Sequence, residues 1–174
     1  MIIRVDVLDK AIAQTKGKNP EGVPSASSKG QKIVLLGPHG KTFNQEKARE
    51  FSKLEHLVLV CGRYEGIDER ARKYIDEELS IGDFVVTGGE IPAMLVTDAV
   101  VRLINGVLKE GVTDSESFSP YLEYPQYTKP SSYKNKDVPP ILLSGDHGKI
   151  DSFRKRKSLQ VTSLLRPDLL KSKL

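Results

Sequence analysis

Residues 32–61, KIVLLGPHGKTFNQEKAREFSKLEHLVLVC, decide the fold class. They open and close on short, continuously apolar runs, KIVLL at 32–36 and LVLVC at 57–61. Such β-branch-rich runs suit strands buried on both faces of a parallel sheet. Parallel neighbours need a crossover connection, and FNQEKAREFSKL at 43–54 reads as its helix. Strand, helix and strand in succession predict an α/β fold with a mostly parallel sheet.

The flanking sequence extends this pattern. Upstream, residues 6–15 place Val7, Leu8, Ala11 and Ile12 at helical spacing. Residues 17–31, with two prolines and three glycines, predict a long mobile loop. Downstream, the reading is a helix over 67–79, a strand over DFVV at 83–86, and a helix over 92–104 with Pro92 in its first turn. Residues 106–137 are rich in Ser, Tyr, Pro and acids with little periodicity, which marks a functional or disordered segment. VPPILLSGDH at 138–147 reads as a final apolar strand, and residues 150–165 as a basic helix.

At 174 residues the chain has room for one main domain and a tail. Net charge is only +4, yet residues 149–174 hold eight Lys or Arg against Asp151 and Asp168. That asymmetry suits a polyanionic partner, although a solvated helix face is the commoner use of such a run. Cys61 is the single cysteine, so no internal disulfide forms, and its apolar neighbours predict a buried small hydrophobe rather than a nucleophile. No secretion signal and no apolar stretch of membrane-spanning length occurs, which predicts a cytoplasmic protein without membrane partners. Three scattered histidines, His39, His56 and His147, give no metal-ligand spacing.

Three loops carry candidate chemistry. Gly37-Pro38-His39-Gly40-Lys41-Thr42 stands where a phosphate loop belongs, but Leu35 occupies the position where that loop needs a further glycine. A glycine-bearing loop at the C-terminal edge of a sheet is the safer inference. Residues 61–70, CGRYEGIDER, and 80–90, SIGDFVVTGGE, follow apolar runs in the same way. Their glycines permit close backbone approach to a ligand, and Glu65 and Asp83 can accept hydrogen bonds. Plain tight turns explain any one of these loops; three at one edge point to a pocket.

CGRYEGIDER, SIGDFVVTGGE, LEYPQYTKP and VPPILLSGDH, in this order, resemble the motif set of the TrmD family, bacterial tRNA guanosine-37 N1-methyltransferases of the SPOUT class. The resemblance runs from about Met1 to Leu170. It implies an α/β domain with a C-terminal trefoil knot over residues 1–160, binding S-adenosylmethionine. It also implies a homodimer with active sites shared between subunits. Residues 161–174 would begin a linker toward a C-terminal tRNA-binding domain outside this sequence, and an opening strand, a helix and a glycine-rich loop would precede Met1.

Carried over by position, the resemblance assigns cofactor binding to Leu36, Pro38, Gly62, Glu65, Ile81, Gly82, Asp83, Phe84, Val85, Val86, Gly88, Gly89 and Pro92. Methylation of guanine N1 requires loss of its proton to a general base, while an arginine stabilises the charge gathering on O6. The family pattern assigns Arg102 to O6. Glu116 stands before Ser117-Phe118 where the family usually has Asp, which makes it the expected base, with Asp114 in reserve. A merely solvated acidic loop is the bland reading of TDSES. Arg154, Arg156 and Arg166 are the expected contacts to tRNA phosphates. The alternatives are a noncatalytic cofactor-binding, RNA-binding or dimerisation module, and a nucleotide triphosphatase built on GPHGKT.

Overall fold

The computed structural model describes residues 1–15 and 30–171. The loop read at 17–31 lies outside them except for its last two positions. The chain divides into two compact units, Met1–Leu108 and Lys109–Leu174.

In the first unit, α1 (Val5–Thr15) precedes β1 (Gln31–Thr42), α2 (Gln45–Phe51), β2 (His56–Cys61), a 3-10 helix (Glu69–Tyr74), β3 (Glu77–Ser80) and α3 (Glu90–Val101). The strands form one sheet in the order β2-β1-β3, with both pairings parallel. β1 explains why the apolar run had to be continuous. Its Val34 and Leu36 pack with Ala48, Phe51, Val96 and Val100 from α2 and α3. Its Ile33 and Leu35 pack with Ile12 of α1 and Val60 of β2. Successive side chains of a strand point to opposite faces, and here both faces are covered. α2 starts where Asn44 caps it, the carboxamide oxygen accepting from the Lys47 N–H at 2.9 Å.

Four expectations need correction. The residues of GPHGKT continue β1 through Thr42, with an irregularity in its pairing to β3 between Leu36 and Lys41. Gly40 permits this, since a Cβ there would collide with the backbone of Glu78 and Leu79. The helix read over 67–79 is a 3-10 helix that stops at Tyr74, and its last residues form β3. The Asp76 N–H donates to Ile33 O at 2.9 Å, while the Ile33 N–H donates to Asp76 Oδ2 at 2.7 Å, so the edge of β1 captures the chain. The strand read at 83–86 is absent. Those residues form an exposed turn, with Val85 98% exposed. VPPILL is likewise no strand, for Pro140–Leu143 form a 3-10 helix. Two adjacent prolines remove the amide donors that a ladder requires.

The second unit opens irregularly, with a 3-10 turn at Val112–Asp114. A hairpin of β4 (Ser132–Tyr133) and β5 (Lys136–Asp137) follows, with Lys134 and Asn135 both at positive φ, as a type I′ turn demands. α4 (His147–Leu165), capped by Asp146, is the expected basic helix, and α5 (Asp168–Lys171) is a single turn. Thr162, fully buried on α4, anchors the irregular segment. Its hydroxyl donates to Ser158 O at 2.8 Å and accepts from the Leu122 N–H at 3.0 Å. Ser158 adds a bond to Leu122 O at 2.6 Å. Among the described residues no helix is long and apolar enough to cross a membrane.

Candidate functional site

The loops that follow β2 and β3 meet at the C-terminal edge of the sheet. The Gly89 N–H donates to Gly62 O at 2.8 Å, and Arg63 forms an antiparallel bridge with Gly88. A Cβ on Gly89 would stand 2.7 Å from Cys61 Cα and 3.0 Å from Gly62 N, so this approach is open only to glycine. Arg63 Nε donates to Glu90 Oε1 at 2.6 Å across the same junction. That hydrogen bond holds the Glu90 carboxyl below its ordinary range. Sequence reasoning missed Arg63 and Glu90 as a clamp, because the two stand 27 residues apart and only the fold pairs them.

Cys61 sits at the end of β2 beside this junction. Burial, and then the Glu90 charge, push its thiol above the usual value, which fits a packing residue rather than a nucleophile. On the loop after β2, Glu65 is exposed, and its N–H donates to Met1 O at 3.2 Å.

The loop after β3 is shaped by Ser80. Its hydroxyl donates to Gly82 O at 3.2 Å and accepts from the Gly82 N–H at 3.1 Å. The turn then projects Asp83, Phe84, Val85 and Val86 outward, with Phe84 59% exposed. Ile81 and Gly88 are half-buried, Gly89 is buried as the N-cap residue of α3, and Pro92 is buried in that helix's first turn. Apolar side chains held in solvent beside an apolar sheet edge are what a planar, partly apolar ligand needs. A Cβ on Gly66 would meet nothing within 4 Å, so the backbone there is approachable. These residues fit an adenosyl ligand.

The first loop joins through β1. Leu36 is buried in the core and Pro38 is exposed. The His39 N–H donates to Glu78 Oε1 at 3.3 Å, and the Glu78 carboxylate also pairs with Arg72. An amide aimed at a carboxylate is no phosphate cradle, which removes the triphosphatase reading of GPHGKT. Among the described residues no cluster of His, Cys, Asp and Glu could hold a metal ion.

Arg102 belongs to the first unit, as the half-buried C-cap residue of α3. Asp114 and Glu116 belong to the second, Asp114 exposed in the 3-10 turn and Glu116 half-buried, its carbonyl accepting from the Ser119 N–H at 3.1 Å. Arg166 is the C-cap residue of α4 and forks onto Asp168, at 2.9 and 2.6 Å. Arg154 lies over the ring of Tyr124 and Arg156 over that of Phe153, with centroid distances of 5.0 and 5.7 Å.

The sequence profile described as "tRNA (Guanine-1)-methyltransferase TrmD" matches residues 1–172. The chain belongs to this family. Relatives called tRNA (guanine-N(1)-)-methyltransferase agree with the assignment to the TrmD family. The protein of Metamycoplasma arthritidis is 49% identical over 172 residues, covering 98% of this chain and 70% of its own length. That of Mycoplasma mobile is 45% identical over 174 residues, covering 99% and 82%. That of Clostridium botulinum strain Langeland is 54% identical over 142 residues, or 80% of this chain, and the match spans 59% of that relative's length.

Proposed function

We propose that this protein transfers a methyl group from S-adenosylmethionine to N1 of guanosine 37 in tRNA, acting in the cytoplasm as a homodimer with shared active sites. Residues 1–160 would form the knotted methyltransferase domain, and 161–174 the start of a linker. One observation carries the reading: the 2.8 Å junction of Gly89 with Gly62, which gathers two glycine loops and the exposed Phe84–Val86 turn at the edge of a parallel sheet. Such an edge is where ligands of open α/β sheets bind.

Backbone groups of Gly62, Ile81, Gly82, Asp83 and Gly88 would bond the polar edge of the adenosine, while Leu36, Pro38, Phe84, Val85, Val86 and Pro92 sandwich its apolar faces. Glu65 would accept from its hydroxyls, and Gly89 keeps the two loops in contact. Bound S-adenosylmethionine supplies an electrophilic methyl group. The chain's part is to prepare the nucleophile. Glu116 takes the N1 proton of guanine, freeing the ring nitrogen's lone pair, and Asp114 is the reserve base. Arg102 offers its guanidinium fork to O6, where negative charge gathers as the proton leaves.

Methyl incorporation into unmodified tRNA tests the reading. Glu116→Gln should lower kcat by roughly 10²–10⁴-fold while leaving calorimetric affinity for S-adenosylmethionine unchanged. Asp114→Asn should change kcat little, and the reverse pattern would exchange the two roles. Cofactor binding with no incorporation at all would leave the noncatalytic binding module as the function.

A further inference from the structure

The second unit contains two clefts on either side of the first half of α4. One, of about 290 Å³, is lined by Tyr124, Pro125, Tyr127, Leu142 and Arg154 among others. The other, wider one includes Lys149, Ser152, Phe153 and Arg156. Basic side chains on a helix normally reach into solvent, and Arg154 does so only in part, its side chain 41% exposed. Its guanidinium lies 5.0 Å from the centroid of Tyr124, its nearest carboxylate, Asp151, is 3.8 Å away, and its buried Nε has no hydrogen-bond partner. Tyr127, 47% exposed, supplies a second aromatic surface to the same cleft.

We infer that the Tyr124–Tyr127–Arg154 cleft is a stacking subsite for an unpaired RNA base other than the methylated guanine, with Lys149 and Arg156 on the other side of α4 holding phosphates further along the strand. The inference rests on the proposal that tRNA is the substrate. Two features favour a base over a phosphate here. Tyr124 and Tyr127 give the cleft aromatic surface beside a polar lining that includes Gln126 and Lys129, and the Arg154 guanidinium is a planar cation already set over a ring. The size of the cleft also suits a single planar ring system, since it lies at the small end of ligand pockets, about 300 Å³. Unpaired loop bases, splayed out and stacked on aromatic and guanidinium planes, are how sequence in RNA is read.

The test uses the whole protein and an anticodon stem-loop RNA carrying guanosine 37, titrated across a salt series. Tyr127→Ala should weaken binding roughly tenfold or more with the salt slope unchanged, because stacking releases no counterions. Tyr127→Phe should bind as the parent does. Arg156→Gln should instead flatten the slope by about one unit. Since Tyr127 is half exposed, its replacement spares the core, and an unchanged melting temperature checks this. Equal RNA affinity for Tyr127→Ala and parent would overturn the inference while leaving the proposed methylation standing. A shift in oligomeric state with RNA affinity intact would overturn it in favour of a contact between copies. No RNA binding by the parent protein would sink both readings.

Discussion

Replacing Gly89 by alanine isolates the junction on which the proposed cofactor site depends. Its backbone, at φ −75° and ψ −6°, is one that alanine adopts freely, so no conformational penalty arises. The cost is steric. The added methyl would sit 2.7 Å from Cys61 Cα, 3.0 Å from Cys61 Cβ and 3.0 Å from Gly62 N. Two of these three are backbone atoms on the end of a strand in the sheet, which cannot swing aside. Forcing a methyl into such a place costs about 1–3 kcal/mol. For a chain of this length, each kcal/mol is worth about 2–4 °C, so the melting temperature should fall by about 2–12 °C. Gly88→Ala is the control. There the methyl would meet the Glu90 carboxylate and Arg63 Cγ, and displacing that exposed ion pair should cost about 1 kcal/mol or less. Differential scanning calorimetry of both variants, with titration of S-adenosylmethionine, measures the two effects. Equal melting temperatures for Gly89→Ala and parent would refute the claim that the loops are locked by backbone approach.

Acid should weaken the fold in part through one cluster: hydrogen bonds from Lys32 and Lys47 hold Glu50 at about 2, down from 4.5. Because the folded value is the lower, this stabilisation is present above pH 4.5 and is lost as the pH falls toward 2. With Glu50 45% exposed, solvent screening keeps it to about 1 kcal/mol or less. Glu50→Gln should therefore narrow the stability difference between pH 6 and pH 3 in urea titrations, and an unchanged difference would assign the acid sensitivity elsewhere. Thr162→Val keeps the shape of a fully buried side chain but strips the Leu122 N–H of its acceptor, costing about 1–3 kcal/mol in the same titration. A loss near zero would show that Thr162 only fills space.

The elements that were legible in the sequence are those whose burial follows local rules. β1 and β2 announce themselves because both of their faces are covered. α1 and α4 were equally plain, α1 from its spacing and α4 from its charges. β3 was hidden behind its acids. Glu77 and Glu78 look solvent-facing in sequence, yet Glu77 is neutralised by Lys32 and Lys47 and Glu78 by Arg72. Two of those partners stand 45 and 30 residues away along the chain, beyond the reach of any periodicity. DFVV failed in the opposite sense. Its apolar side chains stand in solvent, with Val85 98% exposed, so hydrophobicity there did not signal burial. The candidate cofactor residues came from motif resemblance, whereas the Arg63–Glu90 clamp and the aromatic setting of Arg154 required coordinates.

The exposed turn at Phe84–Val86 also has a calorimetric consequence. Apolar side chains surrounded by water raise the heat capacity of the free protein, and covering them lowers it. With Val85 98% and Phe84 59% exposed, most of that hydration is still present in the unliganded chain. Binding enthalpy measured at several temperatures should therefore slope downward for a ligand that settles on this turn, and stay nearly flat for one that docks on polar surface.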